Sequence, residues 1–84
     1  MRLPRDLPGR EFARRLKRHF GYELSRQRDS HLRLTTSRHG EHHVTIPDHN
    51  ALRLGTLNSV VTDVAQHFSM TRDEVAERLF SDSN

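Results

Sequence analysis

The chain has 84 residues, of which 32% are hydrophobic and none is Trp or Cys. This length allows one domain with a small core, which excludes a two-domain enzyme, and the lack of Cys excludes disulfide frameworks, thiolate nucleophiles and cysteine-ligated metals. Residues 1–40 carry 11 Arg or Lys against 4 Asp or Glu, whereas residues 41–84 carry 3 against 7, so the basic half suits a polyanionic partner such as nucleic acid.

The first predicted element is a helix over residues 9–20. Phe12, Leu16 and Phe20 recur every four positions, which gives one apolar side. Pro8 and Gly9 favour the start of this helix, and Gly21 favours a left-handed stop. Basic residues occupy the opposite side of the helix, namely Arg10, Arg14, Lys17 and Arg18.

Between residues 22 and 47 the apolar period changes from four to two, which predicts strands near 22–28, 31–36 and 43–47. The turn signals between them favour an antiparallel meander. One face of this sheet is apolar and needs helices on it, and the other face is polar and open. Pairing drawn from this alternation places a set of polar side chains on the open face, namely Ser25, Gln27, His31, Arg33, His43 and Thr45.

Two more helices are predicted after the strands. Leu57, Val60, Val61, Val64 and Phe68 form a clear helical stripe that predicts a helix over 56–68. The Thr-x-x-Glu spacing at residues 71–74 predicts a capping box and a short third helix. The expected fold is α+β, a three-stranded antiparallel sheet with two helices on one face and a short C-terminal helix, in one domain over 1–80 with a disordered tail at 81–84.

This element order is that of double-stranded-RNA-binding domains, and three segments strengthen the comparison. Residues 28–31 read Arg-Asp-Ser-His, residues 44–49 read Val-Thr-Ile-Pro-Asp-His, and residues 55–60 read Gly-Thr-Leu-Asn-Ser-Val. In sequence and order they resemble the HicA family of toxin ribonucleases, and the resemblance extends from about Leu3 to Met70. It implies a small endoribonuclease that cleaves mRNA without a metal and is silenced by a HicB-type antitoxin.

The resemblance also implies a catalytic residue, because the histidine of the Ser-His pair is His31 in this chain. A strand histidine on the polar face can remove the 2′-hydroxyl proton of RNA, and Arg33 on the same face can act as a phosphate or transition-state clamp. His49 is a candidate general acid, or else only orders its loop, and Ser30 either bonds the His31 region or closes the turn. The family usually has glycine where this chain has Asp29.

A second set of residues is predicted to bind RNA. Arg10, Arg14, Lys17 and Arg18 form a phosphate-tracking row or merely the solvated side of the first helix. Arg28 and Gln27 beside the turn, and the amides near Thr56 at the start of the second long helix, complete the set. His39, His42 and His43 do not have the spacing of a zinc site, so we expect no metal and no other cofactor.

Three hypotheses therefore remain open: a toxin endoribonuclease with RNA and antitoxin partners, a non-catalytic RNA-binding module of the same fold, and a toxin-derived chain whose site Asp29 has spoiled. Cleavage requires His31, whereas binding alone does not. No apolar run approaches the roughly 20 residues that cross a bilayer, so we expect a cytoplasmic protein with no membrane contact.

Overall fold

The computed structural model describes residues 2–81 and confirms the predicted α+β fold and element order. The elements are α1 (Gly9–Phe20), β1 (Glu23–Arg28), β2 (His31–Thr36), β3 (His42–Pro47), α2 (Leu54–Phe68) and α3 (Arg72–Phe80). The bounds of the predicted helices and strands agree within one residue except for α2, which begins at Leu54, two residues before the predicted start. Residues 82–84 of the predicted tail lie outside the described part of the chain.

One antiparallel sheet in the order β1-β2-β3 carries α1 and α2 on a single face. The alternation in β2 is as predicted, since Leu32 and Leu34 are buried and His31 and Arg33 are exposed. The core between sheet and helices includes Phe12, Leu16, Phe20, Tyr22, Val44, Ile46, Leu57, Val61 and Val64. The opposite face of the sheet, hereafter the outer face, has no described helix over it.

Two glycines fix where α1 begins and ends. Gly21 adopts φ +75°, and the backbone amides of Gly21 and Tyr22 donate to the carbonyls of Lys17 and Leu16, which closes the helix in the left-handed manner expected of glycine. At the other end, a Cβ on Gly9 would overlap the carbonyl oxygen of Pro47. The start of α1 therefore lies against the end of β3.

The third helix forms a second layer on the helices and adds nothing to the sheet. Thr71 and Glu74 make the predicted capping box, with the Glu74 amide donating to Thr71 Oγ1 at 3.0 Å and the Thr71 amide donating to Glu74 Oε1 at 2.8 Å. Val75, Ala76 and Leu79 are buried, and α3 packs on α1 and α2. The outer face consequently stays open.

The register of β1 differs from the prediction because a β-bulge interrupts it. Leu24 pairs with Leu34, but the next pair is Arg26 with Arg33, so the strand carries one extra residue there. Gln27 then pairs with Leu32 and lies on the helix-covered side of the sheet. The prediction that Gln27 shares the face of His31 is therefore wrong, and Arg26 takes that place.

Leu24 shows that the helix layer does not reach the whole sheet. It pairs with buried Leu34 on the helix-covered side, yet 52% of its surface is exposed, because β1 is an edge strand that α1 does not fully cover. Among residues 2–81, none of the helices has the length and apolar character of a membrane span.

Candidate functional site

The site begins at the tight turn between β1 and β2. Arg28 pairs with His31, so only Asp29 and Ser30 connect the two strands. Asp29 adopts φ +54°, a left-handed conformation that favours glycine. Asp29 therefore occupies a position at which glycine would be conformationally favoured.

The side chain of His31 points away from the helices and is exposed. Side chains alternate between the two faces along β2, and Leu32 and Leu34 take the face that packs on the core. Within residues 2–81, the His31 ring makes no hydrogen bond, ion pair or ring contact. This imidazole is free to meet a ligand that approaches the outer face.

Three arginines surround His31 on the outer face. Arg28 lies directly across the β1-β2 ladder from His31, and Arg26 lies directly across from Arg33. Cross-strand partners stand about 5 Å apart and alternate residues of one strand about 6.8 Å apart, so these four residues form a compact square. All four are exposed, and none has an acidic partner among the described residues. We call this group the arginine square.

A loop from β3 is fixed beside the same turn. Pro47 pairs with His31, and the Asp48 amide donates to the Ser30 carbonyl at 2.7 Å. The His49 carbonyl accepts from the Gly9 amide at 2.9 Å, and the His49 side chain is exposed. The backbone of Pro47 and Asp48 thus meets that of His31 and Ser30, and His49 is the next residue of this loop. The Ser30 hydroxyl makes no hydrogen bond among the described residues.

A chain of side-chain hydrogen bonds holds the bulge next to the square. Ser25 Oγ donates to the Arg33 carbonyl at 3.0 Å and accepts from Thr35 Oγ1 at 2.9 Å. Thr35 Oγ1 also shares a 2.7 Å hydrogen bond with His43 Nδ1, and His43 Nε2 lies 3.0 Å from Glu41 Oε2. Ser25, His43 and Thr45 thus belong to the outer face as predicted. The side chains of Ser25 and His43 are hydrogen-bonded to other residues of this face.

The basic row of α1 occupies a different surface. Arg10 bonds Asp48 at 3.0 Å, Arg14 bonds Glu11 at 2.8 Å, and Lys17 lies 3.6 Å from Glu23. Since α1 packs on the inner side of the sheet, these residues do not share the face of the square. A groove beside β1 is lined by Arg10, Arg14, Lys17 and Leu24 among others. Arg18 is exposed further along the helix.

The predicted phosphate contact at Thr56 falls in the first turn of α2. The helix begins at Leu54 after Arg53, which offers no side-chain cap, and no acidic residue stands in its first turn. The Leu57 amide is bonded to the Arg53 carbonyl. A contact between Thr56 and RNA stays a prediction.

The three clustered histidines serve separate contacts. His39 packs edge-on against Phe68 with ring centroids 5.3 Å apart, and His43 lies in the outer-face chain. His42 stands between Tyr22, whose hydroxyl is 2.8 Å from His42 Nδ1, and Asp63, whose Oδ1 is 3.0 Å from His42 Nε2. No group of three metal-binding side chains occurs within residues 2–81.

The Tyr22-His42-Asp63 network was missed by the sequence reasoning because its members lie on three different elements. Burial raises the pKa of the Tyr22 hydroxyl, and the charge of Asp63 adds to the rise. His67 stacks on His42 with centroids 4.4 Å apart, and its Nε2 lies 2.8 Å from the Arg38 carbonyl. These contacts tie the sheet to α2 at the end opposite His31.

One depression on the described surface lies away from the square. It lies between Arg2 and α3 and is lined by Asp73, Glu77 and Phe80 among others. The square is an open face instead of a pocket. Such a face suits an extended, flexible polyanion better than a small molecule that needs enclosure.

Comparison with known families decides the relationship. Residues 9–66 match the family model described as HicA toxin of bacterial toxin-antitoxin systems, which covers well over half of the chain. The chain belongs to the HicA toxin family. No curated protein and no solved structure matches it. The HicA match includes the whole sheet, α1 and most of α2, and α3 lies beyond it.

Membership gives the site its context. A HicA toxin acts within a toxin-antitoxin system, so an antitoxin is an implied partner. The segments at residues 28–31 and 44–49, which carry the resemblance in sequence, are the two that meet at His31 in the fold.

Proposed function

We propose that this chain is a toxin endoribonuclease that cleaves mRNA with His31 as general base. The observation that carries the proposal is the outward-facing imidazole of His31, which has no bonding partner among residues 2–81 and lies beside three arginines without acidic partners in that range, in a chain of the HicA family. RNA supplies both the phosphate that arginine binds and the hydroxyl that an imidazole can deprotonate.

The reaction uses a nucleophile that the substrate contains. His31 removes the proton from a ribose 2′-hydroxyl, the 2′-oxygen bonds to the adjacent phosphorus, and the bond from phosphorus to the 5′-oxygen breaks. The products are a 2′,3′-cyclic phosphate and a 5′-hydroxyl end. Because the nucleophile belongs to the RNA, this route needs no metal.

Two further groups complete the proposed chemistry. Arg33 lies about 6.8 Å along β2 from His31, within reach of the same phosphate, and stabilises the negative charge that grows on its oxygens. His49, which directly follows the Asp48 that bonds Ser30 of the turn, donates the proton that the departing 5′-oxygen takes up. Ser30 acts through its backbone, which fixes the loop that carries His49.

Substrate binding extends beyond the reacting atoms. Arg28 is opposite His31 and contacts the RNA backbone near the scissile bond. Arg10, Arg14, Lys17 and Arg18 would meet a strand that continues around the β1 edge. A HicB-type antitoxin silences the toxin, and the protein works in the cytoplasm, where its mRNA substrate lies.

The test compares RNA cleavage by the purified wild type and by His31→Ala. Loss of a positioned general base is expected to lower the cleavage rate by about 10²–10⁴-fold. Thermal stability is expected to stay within about 0.5 kcal/mol, because the side chain is exposed and unbonded. Induced expression of the wild type should arrest growth, and His31→Ala should relieve that arrest.

A matched control is His39→Asn, which removes another imidazole at the opposite end of β2. His39 adopts φ +57°, which asparagine tolerates, so the loop keeps its shape. This variant should cleave RNA at the wild-type rate. If His31→Ala cleaves as fast as the control, the proposal fails, and wild-type RNA binding without cleavage would favour the non-catalytic binding module.

A further inference from the structure

Arg26 and Arg33 form a pair of like charges that the fold places face to face. They are direct partners in the β1-β2 ladder, both are exposed, and neither has an acidic partner among residues 2–81. Like charges directly opposite each other on a sheet are destabilising. Folding alone gives no reason for this arrangement, whereas a bound anion between the two guanidinium groups does.

The bulge is what creates the pair. With regular pairing from Leu24 onward, Ser25 would stand opposite Arg33, and Arg26 would turn toward the helices. The extra residue moves Arg26 to the outer face instead, and the bond from Ser25 Oγ to the Arg33 carbonyl holds the irregularity at this point. Bulges commonly serve to redirect a side chain near a functional site.

We propose that Arg26 is an RNA-binding residue that holds the phosphate next to the one that reacts at His31, and that Arg33, opposite Arg26, bridges the two phosphates. This inference rests on the proposed nuclease function for the identity of the ligand. The step from the pair Arg28-His31 to the pair Arg26-Arg33 is about 6.8 Å along the strands, which is about one nucleotide of an extended chain.

The chemistry of the outer face indicates which feature of RNA is recognised. Around the square its side chains are arginine, histidine, serine and threonine, with Pro47 and Glu23 at the margins, and no Phe or Tyr lies on this face of β1, β2 and β3 for a base to stack on. Two opposed guanidinium groups offer planar forks of donors that match phosphate oxygens. The ligand is therefore the single-stranded sugar-phosphate backbone, and this subsite contributes affinity without selecting a base sequence.

The chain offers a control with the same composition and net charge. Arg26→Gln combined with Gln27→Arg exchanges two neighbours of one strand and moves the guanidinium from the outer face to the helix-covered side. Binding is measured with a single-stranded oligonucleotide carrying 2′-O-methyl groups throughout, which removes the nucleophile and prevents cleavage. General electrostatic attraction is the same for this exchange variant and the wild type.

We expect the exchange variant to bind the oligonucleotide about tenfold more weakly than the wild type, as loss of a charge-assisted bond predicts. The slope of log K against log salt should also fall by about 0.7, the value for one phosphate contact on a single strand. Arg26→Gln alone should give the same loss, and it serves as the second variant if the exchange disturbs the strand. Equal affinity of wild type and both variants would overturn the proposal.

The outcome separates this inference from the nuclease assignment. If the wild type cleaves RNA but the variants bind the methylated oligonucleotide as tightly as it does, Arg26 is not a binding residue and the nuclease proposal stands. If the wild type never cleaves RNA but its binding depends on Arg26, the phosphate subsite is upheld and the nuclease proposal fails. Arg72→Ala, which removes one charge from α3 far from the sheet, should leave binding within about twofold.

Discussion

Asp29 is the residue at which the stability of the site can be tested most directly. It occupies the first position of the two-residue turn with φ +54°. A non-glycine residue in this region carries a clash between Cβ and the backbone worth roughly 1–2 kcal/mol, and Asp is tolerated there better than Ala. Replacement by Ala keeps the Cβ and removes the polar group.

We therefore expect Asp29→Ala to destabilise the protein by about 1 kcal/mol, which lowers the melting temperature by about 4–8 °C for a domain of this size. In Asp29→Gly the clash disappears, and the greater freedom of glycine in the unfolded chain offsets about 0.5–1 kcal/mol of that gain. The net result should match or slightly exceed the wild-type stability. Thermal and urea unfolding followed by circular dichroism measure both changes.

Ser30→Ala is the control in the same turn. The φ of Ser30 is not in the left-handed region and its hydroxyl is unbonded among the described residues, so this change should cost less than Asp29→Ala. An Asp29→Ala protein as stable as Asp29→Gly would refute the conformational reasoning. Asp29→Gly should also cleave RNA within a few-fold of the wild-type rate, since Asp29 already holds the conformation that glycine would take. A large increase in the cleavage rate of Asp29→Gly over the wild type would mean that Asp29 impairs the catalytic site.

Two other predictions concern surfaces away from the turn. The chain has a single Tyr and no Trp, so tyrosinate absorbance reports Tyr22 alone. Because the folded-state pKa is raised, stability is unaffected below the usual tyrosine pKa near 10 and falls as pH rises above it. Tyr22→Phe should flatten this alkaline loss, and tyrosinate that forms near pH 10 in the folded protein would contradict the burial argument. Arg14→Glu with Arg18→Glu should weaken RNA binding and reduce its salt slope, and an unchanged slope would remove the α1 row from the interface.

The helices were predictable because each depends on a local pattern. The four-residue spacing of Phe12, Leu16 and Phe20 defines α1, and Gly21 ends it where expected. The capping box at Thr71 involves only residues of the same turn. Such signals lie within a few positions of each other, so a sequence carries them without any knowledge of the tertiary fold.

The sequence also indicates the bulge, but only when the alternation of β1 is counted from both ends of the strand and the two results are compared. Alternation counted from Tyr22 and Leu24 places Arg26 on the apolar side of β1. Alternation counted back from the turn, with Arg28 opposite His31, places Arg26 opposite Arg33. The two counts disagree by one residue, and a single extra residue between Leu24 and Arg26 reconciles them. The first count alone led to the wrong face for Gln27.

The histidines show why a free imidazole is informative in this fold. His42 is held between a buried hydroxyl and a carboxylate, and His43 between Thr35 and Glu41. These two rings have structural partners, and their positions in the sequence did not indicate those partners. His31 stands among exposed arginines with no such partner among residues 2–81. In the proposed reaction, these arginines attract the phosphate that brings the 2′-hydroxyl to the ring. The charges that bind the substrate would thus also place its hydroxyl beside the base.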